Sequence, residues 1–162
     1  MILGVTGDTH NNLKNIDEIC SIFNQNRTNL VFHTGDISLP KSLLCFKKLN
    51  CPLIAVIGNN DIEEKNDLLL ASKSFDCRIV EEPFSLSLEN KKIIVLHHPE
   101  LITEKMIVSS DFIFHGHTHR FRHEVIKETL IFNPGECAGF MKGKNKIGVV
   151  DLKTKEAKTI SF

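Results

Sequence analysis

The 162-residue sequence predicts an α/β fold in which two β-sheets pack face to face and helices cover the outside. In the first half, apolar β-prone runs alternate with helical segments, which is typical of a mostly parallel sheet with right-handed crossovers. The second half is rich in short strands separated by glycine, asparagine and lysine turns. No linker or internal repeat interrupts the chain, so residues 1–162 are predicted to form a single domain.

Three strands and three helices are predicted in the first half. The strands are Ile2–Thr6, Leu30–His33 and residues 53–57. The first helix is expected from Asn11 or Asn12 to about residue 26, because its apolar side chains recur with the helical period and asparagine is a good N-cap. The second helix follows Pro40, and a short third helix spans about residues 64–72.

The second half contains most of the predicted strands. Residues 84–88 alternate polar and apolar side chains, and residues 92–96 return after the turn at 89–91, which indicates a hairpin. A helix is expected over residues 99–108. The remaining predicted strands are residues 112–115, 123–127, 130–132, 147–152 and 157–162.

Composition restricts the function classes. Lysine plus arginine equals aspartate plus glutamate at 20 each, so the net charge is zero, whereas a dedicated duplex-binding protein normally has a strong basic excess. The five cysteines are odd in number and lack C-x-x-C spacing, which favours reduced, mostly buried thiols. No apolar stretch approaches the ~18 residues of a spanning helix, and no signal peptide is evident. We therefore expect a cytoplasmic protein without a membrane partner.

Side chains that can bind a metal follow five of the predicted strands. They are Asp8 and His10 after the first strand, Asp36 after the second, Asn59, Asn60 and Asp61 after the third, His97 and His98 after residues 92–96, and His117 and His119 after residues 112–115. In open α/β sheets, ligands sit beyond the carboxyl ends of the strands. These side chains are therefore expected to converge on one site.

Two of the segments have a spacing that supports this convergence. In extended backbone, residues i and i+2 point to the same side, so Asp8 and His10 can address one centre, as can His117 and His119. The preceding glycines are expected to let the backbone turn sharply near an ion. Taken singly, an aspartate after a strand is commonly a helix cap and a lone histidine a core residue. Their recurrence at successive strand ends favours a metal site.

The chemistry of the donors limits the choice of ion. Carboxylate, imidazole and amide oxygen together suit manganese, iron or zinc better than calcium, which prefers an all-oxygen shell. The absence of cysteine from the set disfavours a structural zinc site. A metal site with open positions is usually that of an enzyme.

As a set, these motifs resemble those of the calcineurin-like metallophosphoesterase superfamily, in particular its compact bacterial and archaeal phosphodiesterase branch. The family pattern is D-x-H, G-D, G-N-[H/C]-[D/E], a lone histidine and G-H-x-H. Here it reads Asp8-Thr9-His10, Gly35-Asp36, Gly58-Asn59-Asn60-Asp61, His97 and Gly116-His117-Thr118-His119, and it extends to Asn133-Pro134-Gly135. The resemblance covers nearly the whole length of the chain.

The resemblance implies a four-layer αββα sandwich of two mixed sheets and a centre of two divalent ions. Manganese is the expected metal, with nickel, iron, zinc or magnesium as alternatives. The first ion would take Asp8, His10, Asp36 and His119, and the second would take Asp36, Asn59, His97 and His117. Asp36 would then bridge the two ions.

Four other histidines are secondary candidates. His97 and His98 are adjacent and would point to opposite sides of an extended chain, so only one is expected to face the ions. The family pattern favours His97, and His98 is a candidate for substrate binding. His33, His115 and His123 are expected in strands or at the rim, although His33 or His115 could support the ligand shell.

Charge counting favours a phosphodiester substrate. Two divalent ions with Asp8 and Asp36 leave a charge of plus two, and a hydroxide that bridges the ions leaves plus one. A phosphodiester monoanion neutralises that charge, whereas a monoester dianion exceeds it. The hydroxide would attack phosphorus in line, and the ions would stabilise the charge that develops on oxygen.

Position 60 departs from the family pattern. Many relatives have a histidine there that is thought to protonate the leaving oxygen or to orient the phosphate, whereas Asn60 can donate a hydrogen bond but cannot transfer a proton near neutral pH. Asn60 is therefore a catalytic and substrate-binding candidate suited to activated aryl esters. The alternative is that Asn60 only caps the following helix.

The predicted function is hydrolysis of phosphodiester bonds in small phosphate esters. A phosphomonoesterase, a protein phosphatase or a nuclease of the same family is the second enzymatic possibility. A non-catalytic interaction scaffold of the same fold is the third, although such scaffolds usually lack some of the ligands. The β-rich second half offers strand edges through which a homo-oligomer could form.

Overall fold

The computed structural model describes all 162 residues and contains two mixed β-sheets. The strands are β1 Ile2–Thr6, β2 Leu30–His33, β3 Leu53–Val56, β4 Cys77–Val80, β5 Phe84–Leu88, β6 Lys91–Val95, β7 Phe112–Phe114, β8 Arg122–Ile126, β9 Thr129–Asn133, β10 Lys146–Asp151 and β11 Glu156–Ser161. The helices are α1 Leu13–Gln25, α2 Pro40–Cys45, α3 Lys65–Ser72 and α4 Glu104–Ser109. Short 3-10 turns lie at Phe46–Lys48, Asn59–Asp61 and Pro99–Leu101.

The strand order makes each sheet part parallel and part antiparallel. The first sheet has the order β11-β10-β1-β2-β3-β4, with β1 to β4 parallel and β10 and β11 antiparallel at one side. The second sheet has the order β5-β6-β7-β9-β8, in which β6, β7 and β9 are parallel and both outer strands are antiparallel. The carboxyl ends of the parallel strands carry the candidate site.

Three buried apolar clusters show the four layers. Helices α1 to α3 pack on the outer face of the first sheet, where Phe23 of α1 is fully buried. The inner faces of the two sheets meet in a cluster that includes Phe32 of β2 and Phe114 of β7, whose rings are 5.7 Å apart. Helix α4 covers the outer face of the second sheet over Ile113. The predicted αββα sandwich is confirmed, with three helices on one side and one on the other.

Apart from shifts of one or two residues at the ends of elements, the structure differs from prediction in two places. Strand β4 had no predicted counterpart, because it is a four-residue edge strand whose apolar run is interrupted by the exposed Arg78. The helix predicted over residues 99–108 is a 3-10 turn followed by α4, because Thr103 caps a new helix by accepting a hydrogen bond from the Met106 N–H at 3.3 Å.

The burial of the cysteines agrees only in part with the expectation of reduced, mostly buried thiols. None of the five thiols is disulfide-bonded; Cys20 and Cys137 are buried, and the other three are half-buried rather than fully enclosed.

None of the four helices combines the length and the apolar character needed to cross a bilayer.

Candidate metal centre

The candidate site lies where strands of both sheets end. Segments that follow β1, β2 and β3 of the first sheet face segments that follow β6 and β7 of the second sheet. The side chains brought together are Asp8, His10, Asp36, Asn59, His97, His117 and His119. The structure therefore gathers all seven predicted ligand residues, and their role as ligands is the subject of the proposal below.

One group of donors forms around Asp8. Ligand atoms of Asp8, His10 and His119 all lie within 4.8 Å of one another. The Nε2 atoms of His10 and His119 are 3.4 Å apart, and His119 Nε2 is 3.8 Å from Asp8 Oδ1. Three donor atoms from two sheets thus surround one point.

A second group forms around His97. Its Nε2 is 2.9 Å from Asn59 Oδ1 and 3.2 Å from His117 Nδ1. Asp36 Oδ2 lies 3.5 Å from the same nitrogen and 4.0 Å from His10 Nε2. Asp36 therefore stands between the two groups, which is the position that a bridging carboxylate needs.

The donor atoms fit a cation. Asp8 Oδ2 is buried and has no hydrogen-bond partner, although a buried carboxylate oxygen without a partner is costly. Two imidazole nitrogens of His10 and His119 face each other at 3.4 Å, and at least one of a facing pair presents a lone pair. The oxygen and nitrogen lone pairs thus converge on a space that has too few protons to bond all of them. A divalent ion would accept these lone pairs.

The backbone reaches this arrangement in an unexpected way. Five of the candidate ligands have left-handed φ angles: Asp8 at 50°, His10 at 45°, Asp36 at 61°, His117 at 66° and His119 at 53°. The expectation of extended D-x-H and H-x-H segments is therefore wrong. Such φ values are uncommon for residues other than glycine, are enriched in aspartate, asparagine and histidine, and are characteristic of functional sites.

The glycines that precede the candidate ligands have a different role from the expected one. Of the four glycines that directly precede a candidate ligand, only Gly35 has a positive φ, at 97°. The other three are required by close packing: a Cβ at Gly7 would lie 1.9 Å from Thr34 Oγ1, one at Gly58 would lie 2.3 Å from Asp36 Oδ1, and one at Gly116 would lie 2.7 Å from Thr34 Oγ1. These glycines let the ligand-bearing loops touch.

Two buried groups hold the loops in register. The Gly35 N–H donates to His33 Nδ1 at 3.2 Å, so the proton lies on Nε2, which donates to Thr9 Oγ1 at 2.9 Å. Asp61 accepts hydrogen bonds from the N–H groups of Gly58, Asp36 and Ser38. His33 thus holds the loop that carries Asp8 and His10, which is the supporting position that the sequence analysis allowed for it. Asp61, the last residue of the Gly58-Asn59-Asn60-Asp61 motif, holds the loops after β2 and β3 together.

Two glutamates contact the histidines and were not predicted. Glu136 is buried, and its Oε2 accepts a hydrogen bond from His119 Nδ1 at 2.5 Å. Glu82 accepts from the N–H groups of His97 and His98 and from His98 Nδ1, at 2.5, 3.0 and 2.5 Å. Glu136 follows the Asn133-Pro134-Gly135 motif and could have been suspected from it, whereas nothing in the sequence marks Glu82.

The two adjacent histidines after β6 lie on the same side. Their ring centroids are 4.7 Å apart, and the His98 ring is also 4.7 Å from that of His117. The expectation that they would point in opposite directions is wrong, because Glu82 binds the His98 backbone and ring where the chain turns into Pro99–Leu101. Ligand atoms of His97, His98 and His117 all lie within 4.8 Å of one another, so His98 belongs to the second donor group.

The remaining histidines are less closely involved. His115 is buried beneath the G-H-x-H loop, with Nδ1 at 3.1 Å from Gly116 O and Nε2 without a partner. His123 is exposed on β8 and packs edge-on against Phe132 at 5.9 Å. Neither ring belongs to either donor group.

The side chain of Asn60 contacts a donor. Its Nδ2 donates to Asp36 Oδ2 at 2.7 Å, and its backbone N–H donates to Asp36 Oδ1 at 2.9 Å. No capping hydrogen bond from this side chain to the following helix is formed. Asn60 also borders an open cleft of about 550 Å³ that is lined by Asn11, Ser38, Leu39, Asn59, Ile62, Glu63 and Glu64.

The two carboxylates differ in their ionisation. Burial raises the pKa of Asp8 to about 6, and the nearby imidazoles oppose this rise only in part. Burial also acts to raise the pKa of Asp36, but hydrogen bonds and charge from His97 and Asn60 bring it well below its usual range. Asp36 is therefore a stable negative charge between the two donor groups, whereas burial disfavours the negative charge of Asp8.

The pKa values of three imidazoles at the site shift in different directions. Burial lowers the pKa values of His10 and His117, so both rings have a nitrogen lone pair available near neutral pH. Burial acts to lower the pKa of His97 as well, but contact with Asp36 raises it overall. A cation at this site would compete with the proton that Asp36 favours on His97.

Comparison with known proteins identifies the family. Residues 1–155 match the family model described as the calcineurin-like phosphoesterase superfamily domain. The chain belongs to this superfamily. The fold and family expected from the sequence motifs are thereby confirmed.

Individual relatives of this phosphoesterase domain agree with the assignment. A phosphodiesterase of Methanocaldococcus jannaschii is 32% identical over 163 residues, which cover 99% of this chain and 98% of that protein. A solved structure of an archaeal phosphodiesterase superposes with a TM-score of 0.87 at 32% identity over the full length of both chains. YfcE, a phosphoesterase from E. coli, shares the fold with a TM-score of 0.74 at 21% identity over 99% of each chain.

Proposed function

We propose that this protein is a metal-dependent phosphodiesterase that hydrolyses small phosphodiesters at a centre of two ions. The observation that carries the proposal is the position of Asp36 between two donor groups, 4.0 Å from His10 Nε2 and 3.5 Å from His97 Nε2. The full-length similarity to an archaeal phosphodiesterase supports the same reaction class.

The proposed ligand sets follow the two donor groups. The first ion takes Asp8, His10, Asp36 and His119, and the second takes Asp36, Asn59, His97 and His117. Manganese is the proposed metal, and nickel, iron, zinc and magnesium are its competitors for oxygen and nitrogen donors. When bound, the two ions supply Lewis acidity to the phosphate and a nucleophile from water.

The residues around the centre favour a diester. Among the proposed ligands only Asp8 and Asp36 carry a negative charge, so two divalent ions and a hydroxide would leave a charge of plus one, which a phosphate monoanion matches. Asn60 places an amide, and not an acid, beside Asp36 Oδ2. An enzyme without a proton donor at this place depends on a leaving group that departs as a stable anion.

His33 and Glu136 orient the ligands without touching the substrate. His33 fixes Thr9, which lies between Asp8 and His10, and Glu136 fixes the His119 ring through Nδ1. A carboxylate on the far nitrogen of a ligating histidine sets its tautomer and raises its basicity. We assign Glu136 this role, and we assign Asn60 and His98 to contacts with the substrate.

Cellular location and assembly are further parts of the proposal. Five unpaired thiols support a reducing, cytoplasmic compartment. Strand β8 is an outer strand of the second sheet and exposes Val125, 65% of which is accessible, so we propose homo-oligomerisation through this edge. Light scattering of purified Val125→Lys against the wild type tests the second point, and an unchanged mass would contradict it.

The function is tested by metal analysis and a substrate screen. Purified protein is stripped with chelator, reloaded with each divalent ion, and assayed with bis(p-nitrophenyl) phosphate and p-nitrophenyl phosphate. We expect two ions per chain and a higher kcat/KM for the diester. Asp36→Asn, which keeps the shape of the side chain, should lose both ions and all turnover. Hydrolysis that survives in Asp36→Asn would overturn the proposal, and absence of hydrolysis with every ion would favour the scaffold.

A further inference from the structure

A second cleft, of about 190 Å³, opens beside His119 and shares no lining residue with the cleft beside Asn60. It is lined by His119, Phe121, Gly135, Glu136, Met141, Lys144 and Lys146. Its lysines belong to the segment at residues 142–146, which contributes no atom to either donor group. Its position next to a proposed ligand makes it accessible to one substituent of a phosphate held at the centre.

The loop that forms the cleft is anchored to the proposed metal ligand through Glu136. The backbone oxygen of Glu136 accepts from the Lys146 N–H at 2.7 Å, and its Oε1 accepts from the Phe140 N–H at 2.9 Å. Its Oε2 accepts from His119 Nδ1. One buried carboxylate therefore fixes both the loop and the ligand, so the cleft has a defined position relative to the centre.

The loop presents an aromatic surface at the centre. The Phe140 ring stacks on that of His119, with centroids 5.6 Å apart and an interplanar angle of 23°, and it lies 5.2 Å from the His10 ring. Phe140 is nevertheless 71% exposed, and the adjacent Met141 is 48% exposed. An exposed, flat ring held in place from behind is a stacking platform for another ring.

The charge of this cleft is positive. A turn closed by the Lys144 N–H and Met141 O at 3.1 Å sets the position of Lys144, and the Nζ of Lys146 lies 5.5 Å above the Phe121 ring. The only acid in the lining is Glu136, whose oxygens are already bonded. The cleft beside Asn60 instead contains Glu63 and Glu64. An anionic substituent is therefore directed to the lysine side.

We propose that this cleft and the adjacent Phe140, which stacks on His119 and lies outside the cleft lining, form a subsite for a nucleotide arm of the phosphodiester, with a flat ring on Phe140 and a second phosphate held by Lys144 and Lys146. The inference rests on the proposed function, because the scissile phosphate must sit at the centre. It deepens that function by naming the substrate class as small nucleotide diesters that carry an additional phosphate.

Three esters that release the same p-nitrophenol test the subsite. Methyl p-nitrophenyl phosphate has no arm, thymidine 5′-(p-nitrophenyl phosphate) has a nucleoside arm, and its 3′-phosphorylated form adds the second phosphate. We expect the 3′-phosphate to lower KM in the wild type by ~3- to 10-fold, the range of two partly exposed ion pairs. Lys144→Met with Lys146→Met should abolish this difference and leave the methyl ester unchanged.

Matched variants separate recognition from folding and metal binding. Lys153→Met with Lys158→Met removes the same charge from lysines outside the cleft and should keep the 3′-phosphate effect. Phe140→Ala should raise KM for both thymidine esters by ~5- to 100-fold, as expected for loss of a stacked base, with two ions still bound. An equal change for all three esters would mean that Phe140 only supports His10 and His119, and would overturn the stacking role.

Direct binding makes the test independent of turnover. Calorimetric titration with thymidine 3′,5′-bisphosphate should show weaker binding to the Lys144 and Lys146 double variant than to the wild type or the Lys153 and Lys158 control. Equal affinities in all three would overturn the subsite even if the enzyme hydrolyses diesters. Failure to hydrolyse any ester, with the difference in affinity retained, would instead overturn the proposed function and leave the cleft as a nucleotide-binding site.

Discussion

At Asp8, the proposed role as a metal ligand opposes the stability of the metal-free fold. Its carboxylate is 1% exposed, one oxygen has no hydrogen-bond partner, and burial raises its pKa to about 6. A folded-state pKa above the unfolded value of 3.8 means that the folded protein binds the proton more tightly. The metal-free protein should therefore lose stability as the pH rises from about 4 to about 6, and the loss should persist above that range.

The substitution Asp8→Asn tests this opposition. Without a cation, the variant should be more stable than the wild type above pH 6, by up to about 3 kcal/mol for a shift of about two pH units. Denaturant unfolding in chelator from pH 4 to pH 8 measures the difference between the two proteins. Burial lowers the pKa of His33 to about 3 and gives a slope of opposite sign, but this slope is common to both proteins and cancels. Parallel stability curves would contradict the prediction.

The proposed role of Asn60 predicts which leaving groups the enzyme can expel. Its amide is bonded to Asp36 Oδ2 at 2.7 Å and has no proton to transfer near neutral pH. General acid catalysis is typically worth ~10²- to 10⁴-fold, so esters with poor leaving groups should be slowed by up to that factor relative to aryl esters. This dependence is measured as kcat for a series of methyl phosphodiesters whose leaving groups range from p-nitrophenol to alkyl alcohols.

The variant Asn60→His supplies the missing group. It should flatten the dependence of kcat on the leaving-group pKa and should give a new limb in the pH–rate profile near the pKa of histidine. Asn60→Gln, which retains an amide and adds one methylene, is the matched control and should keep the steep dependence. The same slope in both variants would show that Asn60 acts only through its hydrogen bonds to Asp36.

At the scale of the elements, the site depends on loops that approach more closely than a side chain allows. A Cβ at Gly7 would lie 1.9 Å from Thr34 Oγ1 and 3.2 Å from Thr34 Cβ, so the segments after β1 and β2 touch at this glycine. Gly7→Ala should reduce the free energy of unfolding by about 1–3 kcal/mol, the usual cost of an overpacked core. Denaturant unfolding measures this change.

A double-mutant cycle identifies the cause of that destabilisation. Thr34→Ala removes the atom nearest to the new Cβ, so Gly7→Ala should cost less in the Thr34→Ala background. Gly143→Ala is the control, because its Cβ meets nothing within 4 Å and its cost at φ 71° is backbone strain alone. Strict additivity of Gly7→Ala and Thr34→Ala would refute close packing as the reason for glycine at position 7.

The sequence predicted the elements of the site better than their local geometry. Apolar runs followed by Asp, His or Asn located the strand ends correctly, because burial on both faces makes parallel strands easy to recognise. The left-handed backbone at Asp8 and His117 could not be predicted. The same residue types at positions i and i+2 are compatible with an extended and with a left-handed backbone. Glu82 contacts His98, which lies 16 residues further along the chain, so no local sequence pattern indicates this contact. Strand β4 lies at the edge of its sheet and lacks the continuous apolar run of a central strand.

At the scale of the whole molecule, the candidate centre joins the two sheets. Asp8 and Asp36 follow strands of the first sheet, whereas His97 and His119 follow strands of the second. The apolar cluster between the sheets holds them face to face, and the donor groups connect them at one end. A cation bound there would contact both sheets and only in the folded state, so its binding free energy adds to the stability of the whole fold.

Metal binding should therefore raise the unfolding temperature in proportion to the number of sites filled. An ion at 100 times its Kd contributes about 2.7 kcal/mol, so two ions contribute about 5 kcal/mol, and a domain of this size should gain about 10 °C or more. Calorimetric scans of chelated and manganese-loaded protein measure the gain. Asp36→Asn removes the carboxylate shared by both groups and should abolish most of the gain, whereas Asp17→Asn, on the exposed face of α1, should retain it. Equal gains in both variants would show that the cations bind elsewhere, because the proposed centre needs the Asp36 carboxylate for both ions.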